Sequence, residues 1–211
     1  MYNFFDVCKE IQGYTLITPD RLWALWSWVN DTVMSLEGSI AELGSYKGGS
    51  AKLLARAIGQ SRSLHVFDTF EGVPASMIDT KKDYVMGDHP HLNISWADGK
   101  YEGGEWVADY EHVKSFLQDC RCITPHKGIV PEILKEVEND KFCFVHLDMD
   151  IYEPTVAALE FFWTRLISNG VIICDDYRHL LGVTNAVEEF ATKQGVKVLP
   201  TAYMQCAIRK P

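Results

Sequence analysis

The chain has 211 residues, 47% of them hydrophobic and 23% charged, which is a globular composition and excludes a disordered chain. Twenty basic against 29 acidic side chains give a formal net charge of -9, so neither nucleic acid nor an anionic membrane is an expected partner. No run approaches the ~20 apolar residues of a membrane span. The opening Met1 to Asp6 carries no basic leader, and the expected location is the cytoplasm. Six cysteines are too few for a disulfide scaffold; Cys143 and Cys174 fall in apolar runs as core thiols, and Cys120-x-Cys122 lacks zinc spacing.

In chain order, residues 19–36 read as a helix carrying Trp23, Trp26 and Trp28, so that residues 1–38 form a helical cap before the first strand. Tryptophans exposed there would favour a homodimer. A strand at 40–43 is followed by a helix at 50–58 and a strand at 64–67. Residues 71–110 break the rhythm, with eight acids, three lysines and no sustained periodicity. The aromatic residues Trp96, Tyr101, Trp106 and Tyr110 argue against disorder there, and the segment reads as a lid or substrate-side flap. A helix at 130–137, a strand at 142–147 and a helix at 154–167 follow, with Gly170 placed at a helix end. A strand at 171–174, a helix at 184–194 and strands at 197–199 and 206–208 close the chain. This alternation predicts one α/β domain over residues 1–211, a mostly parallel sheet with helices on both faces.

Ligands of such sheets bind beyond the carboxyl ends of the strands, so the residues there carry the functional argument. The first strand runs into Glu42-Leu43-Gly44-Ser45-Tyr46-Lys47-Gly48-Gly49-Ser50, a glycine-rich turn opening into a helix. Glycine lets the backbone approach a ligand, and the helix start presents free N–H groups. Asp68 ends the second strand, where a carboxylate commonly accepts from ribose hydroxyls, and the pair suggests an adenosine-bearing cofactor. Asp148 and Asp150 end the fourth strand, and Asp175 and Asp176 the fifth. Four carboxylates at neighbouring strand ends repel one another unless protonated or bridged, and an oxygen-only set favours a hard divalent ion such as Mg2+. His146 reads as a satisfied strand histidine. The Asp148-x-Asp150 pair alone would also suit a metal-dependent glycosyltransferase.

These motifs resemble those of the macrocin-type (TylF/MycF/NovP-like) O-methyltransferases. Similarity is carried by residues 41–51, by Phe67 to Pro74, by Leu147-Asp148-Met149-Asp150-Ile151-Tyr152, by Asp175-Asp176-Tyr177, and by Gly182 with Ala186 to Phe190. The resemblance implies a class I methyltransferase (Rossmann-like) fold with seven strands and transfer of a methyl group from S-adenosylmethionine to a hydroxyl, with Mg2+ at the acceptor. It implies Asp148, Asp175 and Asp176 as metal ligands and Asp150 as general base. Glu42, Gly44, Tyr46, Ser50 and Asp68 would line the cofactor, and Gly128 would mark the turn after the third strand. The acceptor implied is a small hydroxylated metabolite, sugar-containing or phenolic. Relatives with another activity on the same cofactor are the alternative. Met149 stands where the family has glycine, and His146 where arginine is frequent.

Overall fold

Two helices open the fold, α1 (Phe4–Glu10) and α2 (Pro19–Ser35). Both start on recognisable signals: Asn3 accepts from the Phe5 N–H as a cap, and Pro19 occupies the first turn of α2, where its missing N–H costs nothing. The first half of the sheet is β1 (Ser39–Leu43), α3 (Gly49–Ala57), β2 (Leu64–Asp68), α4 (Tyr110–Leu117) and β3 (Ile123–Lys127). The second half is β4 (Phe142–Leu147), α5 (Tyr152–Arg165), β5 (Leu166–Asp175), α6 (Leu181–Gln194), β6 (Val198–Ala202) and β7 (Gln205–Arg209). The computed structural model describes residues 2–86 and 101–211, so Trp96 lies outside the described residues.

The seven strands lie in the order β3-β2-β1-β4-β5-β7-β6. All neighbours are parallel except β7, which runs antiparallel to β5 and to β6. Apolar runs make the central strands because both faces are covered. In β5, Ile172 and Cys174 pack in one core with α5 and α6, while Val171 and Ile173 pack in the other with α1, α2 and α3. The alternation that sorts these four residues also decides where the polar residue beyond them goes.

Several expectations shift. Residues 130–137 form a short 3-10 helix, Glu132–Val137, and α6 begins three residues before 184. Gly170 does not end a helix: α5 stops at Arg165 and the chain passes directly into β5, within which Gly170 lies. Helices α1 and α4 are additional; each is shorter than the periodicity that a sequence pattern needs. All six cysteines are free. Among the described residues, no helix is long and apolar enough to cross a membrane.

Candidate active site

The strand ends meet at one cavity of about 460 Å³. Its floor begins at Gly44, whose φ of +81° is easy only for glycine; a Cβ there would overlap the carbonyl oxygen of Asp148. The Gly44 N–H donates to the Phe67 carbonyl at 2.9 Å, and the Asp148 N–H donates to the Leu43 carbonyl at 2.8 Å, so the ends of β1, β2 and β4 are drawn together. Asp68 completes this wall. Its carboxylate accepts from the N–H groups of Ser45 (2.7 Å), Tyr46 (2.8 Å) and Phe70 (2.6 Å), tying the glycine turn to the end of β2. Burial nevertheless pushes the Asp68 carboxyl upward, against these three donors. The first turn of α3 follows, with Gly49 N–H donating to the Tyr14 carbonyl at 3.0 Å, so the N-terminal segment seals the side of the turn.

Left-handed backbone recurs at the rim: Tyr46 (φ 51°), Phe70 (φ 55°), Asp150 (φ 62°) and Asp176 (φ 56°). Such conformations cost non-glycine residues roughly 1 kcal/mol or more and persist where surrounding contacts impose them. Here they end the strands sharply and turn the two acids toward the cavity.

Of the candidate site residues, Gly44, Tyr46, Ser50, Asp68, Asp148, Asp150 and Asp176 line the cavity. Glu42 and Asp175 stand behind it, essentially fully buried, with His146 between them. The His146 ring reaches Glu42 Oε1 and Asp175 Oδ2, at 3.0 Å each. His146 is thus a satisfied strand residue, with both ring nitrogens held by carboxylates. Burial alone would lower its pKa, but the two carboxylates raise it to about 10, so the ring is an imidazolium at neutral pH.

Burial and mutual repulsion push the carboxyls of Asp148 and Asp150 well above the usual range. Asp176 rises to about 6, burial outweighing the charge of Arg21. Asp175 goes the other way: burial opposes its ionisation, but the hydrogen bond from His146 and the charge of Arg21 hold it low. Potential metal ligands converge in two groups among the described residues: His146, Asp148 and Asp175, and Asp148, Asp150 and Asp176, with one atom per residue lying within 4.8 Å of the others in each. The ligand set implied by the resemblance is thus divided between the two.

Sequence reasoning overlooked three residues. Arg21 reaches the acids from α2, with Nη1 at 2.6 Å from Asp175 Oδ1 and 3.0 Å from Asp176 Oδ1. The Tyr101 hydroxyl, buried at the end of the 71–110 segment, donates to Asp150 Oδ1 at 3.4 Å. Ser45 Oγ is buried beside the glycine turn with no hydrogen-bond partner among the described residues. Arg21 has no local signature, whereas Ser45 lies within the glycine turn and Tyr101 belongs to the aromatic residues that marked its segment as ordered.

A sheet in this strand order, with a glycine turn after β1 and carboxylates after β4 and β5, defines a class I methyltransferase fold. The chain matches the macrocin-O-methyltransferase (TylF) family over residues 8–203 and belongs to that family, which makes it an O-methyltransferase. It is similar to the 8-demethyl-8-(2,3-dimethoxy-alpha-L-rhamnosyl)-tetracenomycin-C 4'-O-methyltransferase of Streptomyces olivaceus, at 27% identity over 195 residues, 87% of this chain and 70% of that one. The demethyldecarbamoylnovobiocin O-methyltransferase of Streptomyces niveus is 24% identical over 190 residues, 86% of this chain and 69% of that one. Among solved structures, the O-methyltransferase NovP superposes with a TM-score of 0.75 at 20% identity, covering 93% of this chain and 82% of that one. The calicheamicin methyltransferase CalS11 superposes with a TM-score of 0.71 at 17% identity, covering 98% and 90%. Family membership sets aside the glycosyltransferase reading of Asp148-x-Asp150.

Proposed function

We propose that the protein transfers a methyl group from S-adenosylmethionine to a hydroxyl of a small sugar-containing or phenolic metabolite, with Mg2+ at the acceptor. The observation that carries this reading is the convergence of Asp148, Asp150 and Asp176 on the floor of the cavity that the glycine turn borders. Ser45 Oγ, buried and without a partner among the described residues, and the close backbone approach at Gly44 suit a polar cofactor lying along the turn. Gly44, Tyr46, Ser50 and Asp68 would line it, with Glu42 supporting the turn from behind.

S-adenosylmethionine supplies the methyl group on a cationic sulfur that leaves as a neutral thioether. An oxygen-only ligand set suits a hard divalent ion, which when bound would lower the pKa of the acceptor hydroxyl and orient it. Of Asp148, Asp175 and Asp176, the first and last face the cavity. Asp150 takes the hydroxyl proton as general base, and the Tyr101 hydroxyl orients its carboxylate. Trp106, Met149 and Leu180 supply apolar wall that excludes water from the reacting oxygen. Alignment of acceptor and methyl donor supplies much of the rate.

The sugar reading draws on the relatives, one of which methylates a rhamnosyl-bearing tetracenomycin by its name. Segment 71–110 would serve as the substrate-side flap; of its described residues, Val73, Tyr101 and Ala108 are buried against the fold, and Tyr101 and Trp106 face the cavity. Trp23, 52% exposed on α2, supports a homodimer through the N-terminal cap.

The test is a calorimetric titration with S-adenosylhomocysteine, followed by methyl-transfer assays on glycosylated and catechol acceptors with and without EDTA. Micromolar binding at one site per chain and EDTA-sensitive methylation support the reading. Cofactor binding with no methylation of any hydroxyl would favour a relative of different activity. Methylation indifferent to EDTA would remove the metal.

A further inference from the structure

One buried side chain joins the end of β1 to the acids that end β5. His146 on β4 lies in register with Glu42 on β1, and Asp175 ends β5, the strand on the other side of β4. Strand alternation puts the three on one face. Ala41 and Leu43, Val145 and Leu147, and Cys174 all face the α5–α6 core, so Glu42, His146 and Asp175 face the layer that contains α2. All three are at most 1% exposed.

The imidazole spans the two acids. Its Nδ1 lies 3.0 Å from Glu42 Oε1, and its Nε2 lies 3.0 Å from Asp175 Oδ2. Ionised carboxylate oxygens only accept, so both ring nitrogens donate and neither keeps a lone pair for a metal ion. His146 therefore comes within 4.8 Å of ligand atoms on Asp148 and Asp175 without being a ligand itself. Asp175 keeps room for a cation. Its Oδ1 accepts from Arg21 at 2.6 Å, which uses one of the two lone pairs on that oxygen. At the other end, Glu42 Oε2 is buried with no partner among the described residues, so the bond to His146 is the polar contact described for that carboxylate. Glu42 leads into Leu43 and Gly44, where the Leu43 carbonyl accepts from the Asp148 N–H at 2.8 Å.

We propose that His146 is a positioning residue that fixes Asp175 for the divalent cation and Glu42 behind the cofactor turn, so that one imidazole sets both sites. This rests on the metal-dependent reading above and leaves its ligands, Asp148, Asp175 and Asp176, as they stand. With Oδ2 tied to His146, the Asp175 carboxylate cannot turn freely and has Oδ1 to offer the cation. Partners of this kind orient a ligating side chain, and removing one costs about 10–100-fold in metal affinity. Tied to the same ring, Glu42 holds the end of β1 from which the glycine turn departs.

The experiment is calorimetric titration of the full chain with Mn2+ alone and, separately, with S-adenosylhomocysteine, below the melting temperature of each variant. His146→Gln has one donor nitrogen, which cannot reach both acids. It should weaken Mn2+ by ~10–100-fold and S-adenosylhomocysteine by at least ~3-fold. His146→Arg donates from two edges of a planar group and should restore both affinities to within ~3-fold of wild type. A histidine that only filled the core would move the melting temperature alone, and one that ligated the cation could not be replaced by arginine. Pulsed electron paramagnetic resonance of the Mn2+-loaded wild type should show no directly bound nitrogen. If His146→Gln does not fold, Glu42→Gln, which alters no cation ligand, should weaken Mn2+ by at least ~3-fold. Either affinity unchanged in His146→Gln, Mn2+ binding unchanged in Glu42→Gln, no restoration by His146→Arg, or a bound nitrogen would overturn the proposal. Wild-type protein that binds S-adenosylhomocysteine but no Mn2+ would instead overturn the metal-dependent reading, and this inference with it.

Discussion

Asp150 combines three properties that a general base needs at this position: a place on the cavity, a carboxyl that burial makes more basic, and an orienting donor in Tyr101. Asparagine keeps its shape and loses its basicity. Asp150→Asn should therefore lower turnover by at least ~100-fold while S-adenosylhomocysteine still binds, and turnover near wild type would remove Asp150 from that role. Gly44 makes the complementary case for backbone. Its positive φ and the overlap of any Cβ with the Asp148 carbonyl leave no room for alanine. Gly44→Ala should cost at least ~2 kcal/mol in denaturant unfolding, through strain at the junction of β1 and β4. Both residues were legible from spacing alone, because strand-end acids and turn glycines are local signals.

At the scale of elements, a buried carboxylate ties residues 79–83 to the start of α5. Asp83 Oδ1 accepts from the Tyr152 N–H in the first turn of α5 at 2.8 Å, and Oδ2 accepts from the Asp79 N–H at 2.8 Å. Gly182 leaves space for it, since a Cβ there would meet Asp83 Oδ1. Asp83→Ala would orphan both donors and should destabilise the protein by about 1–3 kcal/mol. Hydrogen exchange should locate the loss at residues 79–86 and at the start of α5; unchanged protection there would dissociate the segment from that helix. The same scale shows where pattern reading reached its limit. Helix α1 has seven residues and α4 eight, too few turns to separate a helical period from chance. No turn residue separates Arg165 from Leu166, so the junction of α5 with β5 went unmarked, and Gly170 suggested a boundary where the chain was already extended.

For the whole molecule, the acid cluster makes stability depend on pH, and under the proposed metal-dependent reading on metal as well. Burial raises Asp176 to about 6, and Asp148 and Asp150 rise as well. The folded protein thus keeps protons that the unfolded chain releases near pH 4. His146, raised to about 10, acts in the same direction: its stabilisation is complete below about pH 6.5 and is lost as the pH climbs toward 10. Where the folded state binds more protons, stability falls as pH rises. Metal-free protein should melt at a lower temperature at pH 8 than at pH 6, and Mg2+ should raise the melting temperature more at pH 8. Equal shifts at the two pH values would argue against a cation on these carboxylates.

The sequence by itself determined the alternation of most strands and helices, the glycine turn after β1, and the acids at the ends of β2, β4 and β5, because alternation, helical spacing and turn chemistry act over a few residues. Only the tertiary structure decided how those acids are divided. Asp175 and Asp176 are adjacent in the chain, yet one is held behind the sheet by Arg21, 154 residues away, and the other faces the cavity. Tyr101 reaches Asp150 across 49 residues, and Asp83 reaches Tyr152 across 69. Contacts of this kind depend on where whole elements dock, which follows from burial of apolar surface over the entire domain and leaves no trace in the neighbourhood of any one residue.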